Sequence, residues 1–120
     1  MVVYIAGPFR ATNPDGTNDS WRTQQYIMRA MTAALDVWQI PGASALCPHA
    51  NTMFFQHAAN VPDRVWLAGD LEQMRRCDAV FVVEGWRASS GASAEVAEAE
   101  RCGIPVFEDV RALAAFVRAR

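Results

Sequence analysis

A chain of 120 residues with 52% apolar content and a net charge of −2 is sized for one domain around one hydrophobic core. The faintly acidic balance argues against a binder of nucleic acid polymers. Cys47, Cys77 and Cys102 are odd in number and widely spaced, without a C-x-x-C pair, which excludes a disulfide framework. The Cys47-x-His49 pair with His57 fits no common zinc spacing.

Val2–Ala6 (VVYIA) reads as a buried first strand that stops at Gly7-Pro8. Proline supplies no N–H to a ladder, and glycine allows close backbone approach. Phe9 and Arg10 follow at the strand's carboxyl end, where open parallel sheets bind ligands. Residues 11–18 form a polar loop with an Asp15-Gly16 turn. Asp19 or Ser20 is a suitable N-cap for a long helix, Trp21–Ile40, whose expected inward face is Ile27, Met28, Met31, Leu35 and Trp38. Pro41-Gly42 ends it. Ser44–Cys47 reads as a second strand, with Pro48 and His49 at the same edge as Gly7 and Arg10. Met53–Ala59 reads as a short helix or packed loop. Pro62 can open the next helix, with Leu67, Leu71, Met74 and Cys77 as its best apolar stripe and Asp70 inside it.

Asp78–Glu84 is the third strand. A small-residue loop, Gly85–Gly91, leads into a helix over Ala92–Gly103 that places Glu95 in its first turn, where the helix dipole favours an ionised carboxylate. Ile104–Phe107 is a short fourth strand, and Glu108-Asp109 cap a last helix, Val110–Arg118. Strands alternating with helices predict an α/β fold, a flavodoxin- or Rossmann-like three-layer sandwich with a parallel sheet of four to five strands. The whole chain, 1–120, is expected to be one such domain.

In that architecture the loops after the strands meet at one edge. There is no G-x-G-x-x-G, no P-loop and no G-x-S-x-G, so dinucleotide, P-loop NTPase and serine-triad chemistry lack support. Carboxylate chemistry remains. Two carboxyl groups flanking a glycosidic bond can cleave it, one attacking the anomeric carbon and one protonating the leaving group. Glu95 is placed as the ionised partner, and Asp70 as the proton donor if burial raises its pKa. Ser89, Ser90 and Gly91 can offer donors to a phosphate. Trp86 can stack on a base or pack against the loop after the last strand. His49 can touch a base or sugar hydroxyl, or hydrogen-bond its own loop. Glu98 and Glu100 read as solvated, with Arg101 nearby.

Tyr4-Ile5-Ala6-Gly7-Pro8, Asp70-Leu71, Cys77-Asp78-Ala79-Val80 and Ser89-x-Gly91-x-x-x-Glu95 together resemble the nucleoside 2-deoxyribosyltransferase superfamily, nearest its small phage and bacterial branch. That superfamily also contains 2'-deoxynucleoside 5'-phosphate N-hydrolases and cytidylate N-glycosidases. The resemblance implies Glu95 as nucleophile on C1', Asp70 as the residue that protonates or orients the leaving base, and Tyr4 as the group that positions the glutamate. It implies Gly7, Phe9 and Arg10 on the base and phosphate side, and Ser89 and Gly91 at the sugar 5' end. Transferases acting on free nucleosides usually carry an acidic residue where Ser89 stands, whereas the monophosphate hydrolases carry serine. Pro8 and Trp86 are not shared with those hydrolases.

The function expected is an N-glycosidase acting on a (deoxy)nucleoside 5'-monophosphate, without metal or organic cofactor. The alternatives are base exchange between deoxynucleosides and a nucleotide-binding module without turnover. The expected ligand is a small nucleotide or nucleoside, not a nucleic acid polymer or a membrane. The resemblance also implies a homodimer or higher homo-oligomer, for which Phe54 and Phe55 are candidate contacts. No run of about 18 apolar residues predicts a membrane span. The first residues enter a strand pattern without a basic n-region, so neither a signal peptide nor any location other than the cytoplasm is expected.

Overall fold

A computed structural model describes residues 1–55 and 58–120. The chain runs β1 (Val2–Ala6), α1 (Ser20–Trp38), β2 (Ser44–Leu46), α2 (Pro48–Asn51), α3 (Asp63–Met74), β3 (Ala79–Val82), a 3-10 turn (Trp86–Ala88), α4 (Ser90–Arg101), β4 (Val106–Phe107) and α5 (Val110–Arg118). The described strands form one parallel sheet in the order β2-β1-β3-β4. Part of the expected Met53–Ala59 segment, with His57, lies outside the described residues.

Side-chain alternation along the strands divides the core. Val3 and Ile5 of β1 and Phe81 of β3 point to one face, where Ala30, Ala34 and Val37 of α1 and Leu113 and Val117 of α5 cover them. Tyr4 and Ala6 of β1 and Val80 and Val82 of β3 point to the other, where Met74 of α3 and Val96 and Ala99 of α4 cover them. This is the predicted three-layer α/β sandwich, with four strands.

Two expectations about helices need correction. The inward face of α1 is Thr23, Ile27, Ala30, Ala33, Ala34 and Val37. Of the residues expected there, only Ile27 is buried; Met28, Met31, Leu35 and Trp38 are exposed. Small alanines let the helix axis approach the sheet closely, which sends the large side chains outward. Helix α4 begins at Ser90, two residues earlier than expected, because the Ser89 hydroxyl accepts from the Ala92 N–H as an N-cap. Glu95 therefore lies in the second turn, and the first turn holds no acidic residue.

Gly7 is fixed by close approach. A Cβ there would lie 2.7 Å from Val83 Cβ, just where the Val83 N–H donates to the Ala6 carbonyl. The β1 and β3 ends are thereby held together at the carboxyl edge of the sheet.

Candidate active site

The ends of β1 and β2 and the facing sides of α3 and α4 enclose a cavity of about 290 Å³. Small-molecule sites start at about this size. Of the residues expected at the site, Gly7, Phe9, Arg10, His49, Asp70, Ser89, Gly91 and Glu95 line it.

Glu95 is the most enclosed of the acids, with 5% of its surface exposed. The Tyr4 hydroxyl, itself fully buried on β1, donates a hydrogen bond to its carboxylate. Burial pushes the Glu95 carboxyl up to about 8; the Tyr4 hydrogen bond pulls against that shift, and the Asp70 charge adds to it. Asp70 projects from α3 into the same cavity and makes no ion pair among the described residues, since Arg75 pairs with Glu72 and Glu98, and Arg76 with Glu72. Burial pushes it up to about 6, opposed by the Arg10 charge. Burial, with the Glu95 and Asp70 charges behind it, holds the Tyr4 phenol far above its ordinary value, so it remains a donor.

One expectation gives way. Glu95 is not kept ionised by the helix dipole: burial raises its carboxyl, as it raises that of Asp70. The cause is position: one turn inside α4 and buried, Glu95 loses more hydration than a helix N-terminus returns, and that field fades within the first turn. Between about pH 6 and 8 the two carboxyls together hold one proton, as interacting acids do.

On the β1–β2 side, His49 is 1% exposed. Its Nε2 donates to the Pro8 carbonyl at 2.8 Å, because a carbonyl can only accept. Burial draws its pKa down to about 4, so the ring is neutral and Nδ1 is an acceptor; among the described residues Nδ1 has no partner. The ring stacks on Phe9 at 4.5 Å. The Arg10 guanidinium covers Phe9 at 4.2 Å and Trp66 at 5.0 Å, and its Nη2 donates to Thr52. Arg10 Nε is likewise buried without a partner among the described residues. Both unpartnered atoms lie beneath the cavity surface.

At the opposite wall the α4 N-terminus supplies main-chain donors. The first helical bond is Ser93 N–H to the Ser89 carbonyl, and Ser89 Oγ takes the Ala92 N–H. This leaves the Ser90 and Gly91 N–H groups without a carbonyl one turn back, facing the cavity mouth with positive partial charge.

Trp86 is placed elsewhere. Its indole donates to Glu108 at 3.0 Å, Arg87 covers its ring, and it packs on the sheet face beneath α4; the described cavity lining does not include it. The reading of Trp86 as a base-stacking residue gives way to packing against the loop after β4. Glu98 is tied to Arg75 and Arg101.

Asp63, Arg64, Trp66 and Leu67 also line the cavity, and sequence reasoning passed over them. Asp63, Trp66, Leu67 and Asp70 recur at helical spacing, which places them on one side of α3. That side is a site wall, not a core stripe.

A family model described as Domain of unknown function (DUF7768) matches residues 1–109. No curated protein and no solved structure matches the chain.

Proposed function

The chain belongs to the DUF7768 family, and we propose that it is an N-glycosidase that cleaves the base from a (deoxy)nucleoside 5'-monophosphate. One observation carries the reading: two carboxyls of raised pKa, the buried Glu95 and the half-buried Asp70, share one cavity, with the Tyr4 hydroxyl on Glu95. Paired acids with shifted pKa values are the equipment of glycosidic cleavage, and the motif resemblance assigns the same residues the same work.

The Glu95 carboxylate attacks C1' of the sugar. The C1'–N bond breaks, its electron pair passes to the base, and Asp70 gives the base a proton. Water then attacks C1' of the glycosyl ester, its proton passes to Asp70, and Glu95 leaves as carboxylate. The products are free base and sugar phosphate. The Tyr4 hydroxyl stabilises the Glu95 anion at the start and end of the cycle. Ser89 and the Ser90 and Gly91 N–H groups hold the phosphate at the α4 N-terminus, with Arg10 adding positive charge. His49, stacked on Phe9 and bonded to the Pro8 carbonyl, holds the base side of the cavity in place. The ligand is a small nucleotide, and the working unit contains two or more copies of the chain.

The deeper burial of Glu95, which favours its protonated form, supports a second assignment of the same reaction, with Asp70 as nucleophile and Glu95 as acid. Both assignments use the singly protonated pair, so they differ in which residue carries the sugar. Transfer to an acceptor base instead of water is the related activity. Incubation with a panel of nucleosides and their 5'-monophosphates, followed by chromatography for free base, tests the proposal. Release from monophosphates is expected; intact nucleotides after long incubation with folded protein would leave only a binding module.

A further inference from the structure

Asp63, Trp66 and Asp70 stand on one face of α3, three and four residues apart, and all three line the cavity. Arg10, from the loop after β1, meets that face at the ring. Its guanidinium lies 5.0 Å from the centre of the Trp66 ring and 4.2 Å from that of Phe9. Its Nη2 donates to Thr52 Oγ1 at 3.2 Å, and the Thr52 hydroxyl donates onward to the Pro48 carbonyl. Both acids act on Arg10 from beside the ring. Burial lowers the guanidinium from its ordinary value, while the Asp63 charge, and after it the Asp70 charge, pulls it back. Yet among the described residues neither acid forms an ion pair with Arg10.

We infer that Trp66 is a positioning residue: its ring holds the Arg10 guanidinium off Asp63 and Asp70, so that this charge stays open to the anionic end of a ligand. The inference rests on the nucleotide reading of the ligand and not on its cleavage.

Two contacts compete for Arg10. An ion pair with Asp63 would lie at the exposed start of α3, where water screens it and little is gained. A guanidinium is weakly hydrated and stacks on aromatic faces, and tryptophan's face attracts a cation most strongly. The stack therefore wins while the ring is present. Without the ring, Asp63 takes Arg10, because pairing at an exposed carboxylate costs little desolvation. Phe9 alone does not suffice. It is Arg10's chain neighbour in the same loop, whereas Trp66 stands on a separate helix and has Phe55 against it at 6.2 Å. An arginine already paired with a carboxylate meets a phosphate with its charge cancelled; a stacked one brings the whole charge and its free N–H donors.

The test is calorimetric binding of the common 2'-deoxynucleoside 5'-monophosphates and their matching nucleosides, in a Glu95→Gln background that keeps the ligand intact. Trp66→Leu is expected to weaken the best monophosphate ~10–100-fold, the loss of a charge-assisted hydrogen bond. Its nucleoside is expected to shift by less than ~3-fold, with an unchanged circular dichroism spectrum. Trp66→Phe keeps a ring face and is expected to lose less than ~5-fold. Adding Asp63→Asn to Trp66→Leu frees Arg10 and is expected to restore monophosphate binding by at least ~10-fold, which a merely structural tryptophan would not show. Trp66→Gln supplies the same truncation should the leucine variant fail to fold. Equal losses for monophosphate and nucleoside would overturn the inference. So would no rescue by Asp63→Asn, or no preference for the monophosphate in the parent protein. The two readings separate cleanly. Monophosphate binding with this pattern but no base release from wild-type protein would leave Trp66 its role and remove the glycosidase. Base release with an unmoved monophosphate preference in Trp66→Leu would do the reverse.

Discussion

The Tyr4 hydroxyl donates to the carboxylate of Glu95, 91 residues further along the chain, in a buried hydrogen bond. A phenol on the central strand thus reaches the helix that crosses the same sheet face. The contact counteracts burial: without it Glu95 would sit still higher than about 8. Tyr4→Phe keeps the ring packing and removes the donor. Its alkaline activity limb is expected to move above pH 8 and base release to fall ~10–100-fold, as for loss of a hydrogen bond to a charged group. A pH–rate profile of the variant checks both.

Wild-type base release is expected to follow a bell. Below about pH 6 Asp70 gains its proton while Glu95 still holds one, so no carboxylate is free; above about pH 8 Glu95 loses the last proton, so no acid is left. The maximum therefore falls between these limits in either assignment of roles. Initial rates from pH 5 to 9.5 would show it, and a rate still climbing at pH 9.5 would contradict the shared proton.

Stability carries the same signature. Both acids are raised in the folded state, so their contribution is fully present below the unfolded carboxyl values and is lost as pH rises through about 6 for Asp70 and about 8 for Glu95. Glu95→Gln removes the larger part and keeps an acceptor for Tyr4. It is expected to raise Tm by roughly 5 °C or more at pH 8.5 and by less than about 2 °C at pH 4.5. Thermal melts at the two pH values decide.

Ser89 both caps α4 and borders the phosphate end of the cavity. Aspartate is an equally good N-cap, so Ser89→Asp should fold normally while setting a negative charge against the phosphate. The expected result is a fall of ~100-fold in kcat/KM for monophosphates, with nucleosides far less affected. Steady-state kinetics on a matched nucleoside and nucleotide measure the ratio.

Gly7→Ala forces a Cβ into contact with Val83 at 2.7 Å. Overpacking of this kind costs about 1–3 kcal/mol, and urea unfolding should show the free energy of unfolding lowered by that amount, with the midpoint shifted to lower urea.

The sheet was legible because its strands are short β-branched runs ending in Gly-Pro or small-residue loops, and the topology follows from strand–helix alternation. Most of the site was legible too, because residues after strand ends converge in a parallel sheet. Where reading failed, a local competitor won. The Ser89 hydroxyl started α4 early and carried Glu95 out of the dipole's reach. The alanines of α1, not its large residues, met the sheet, since apolar periodicity alone does not say which of two stripes is the small one. Trp86 found a carboxylate, Glu108, that only the fold brings near. The wall of α3 went unread because its face mixes Asp63, Trp66 and Asp70.

The most direct test of the central claim is the location of the sugar during turnover. Wild-type protein mixed with a 2'-deoxynucleoside 5'-monophosphate panel, quenched in acid and mapped by peptide mass, is expected to show a deoxyribosyl phosphate increment on the peptide containing Glu95, absent in Glu95→Gln along with base release. An increment on Asp70 would exchange the two roles. Undiminished base release from Glu95→Gln would contradict the account.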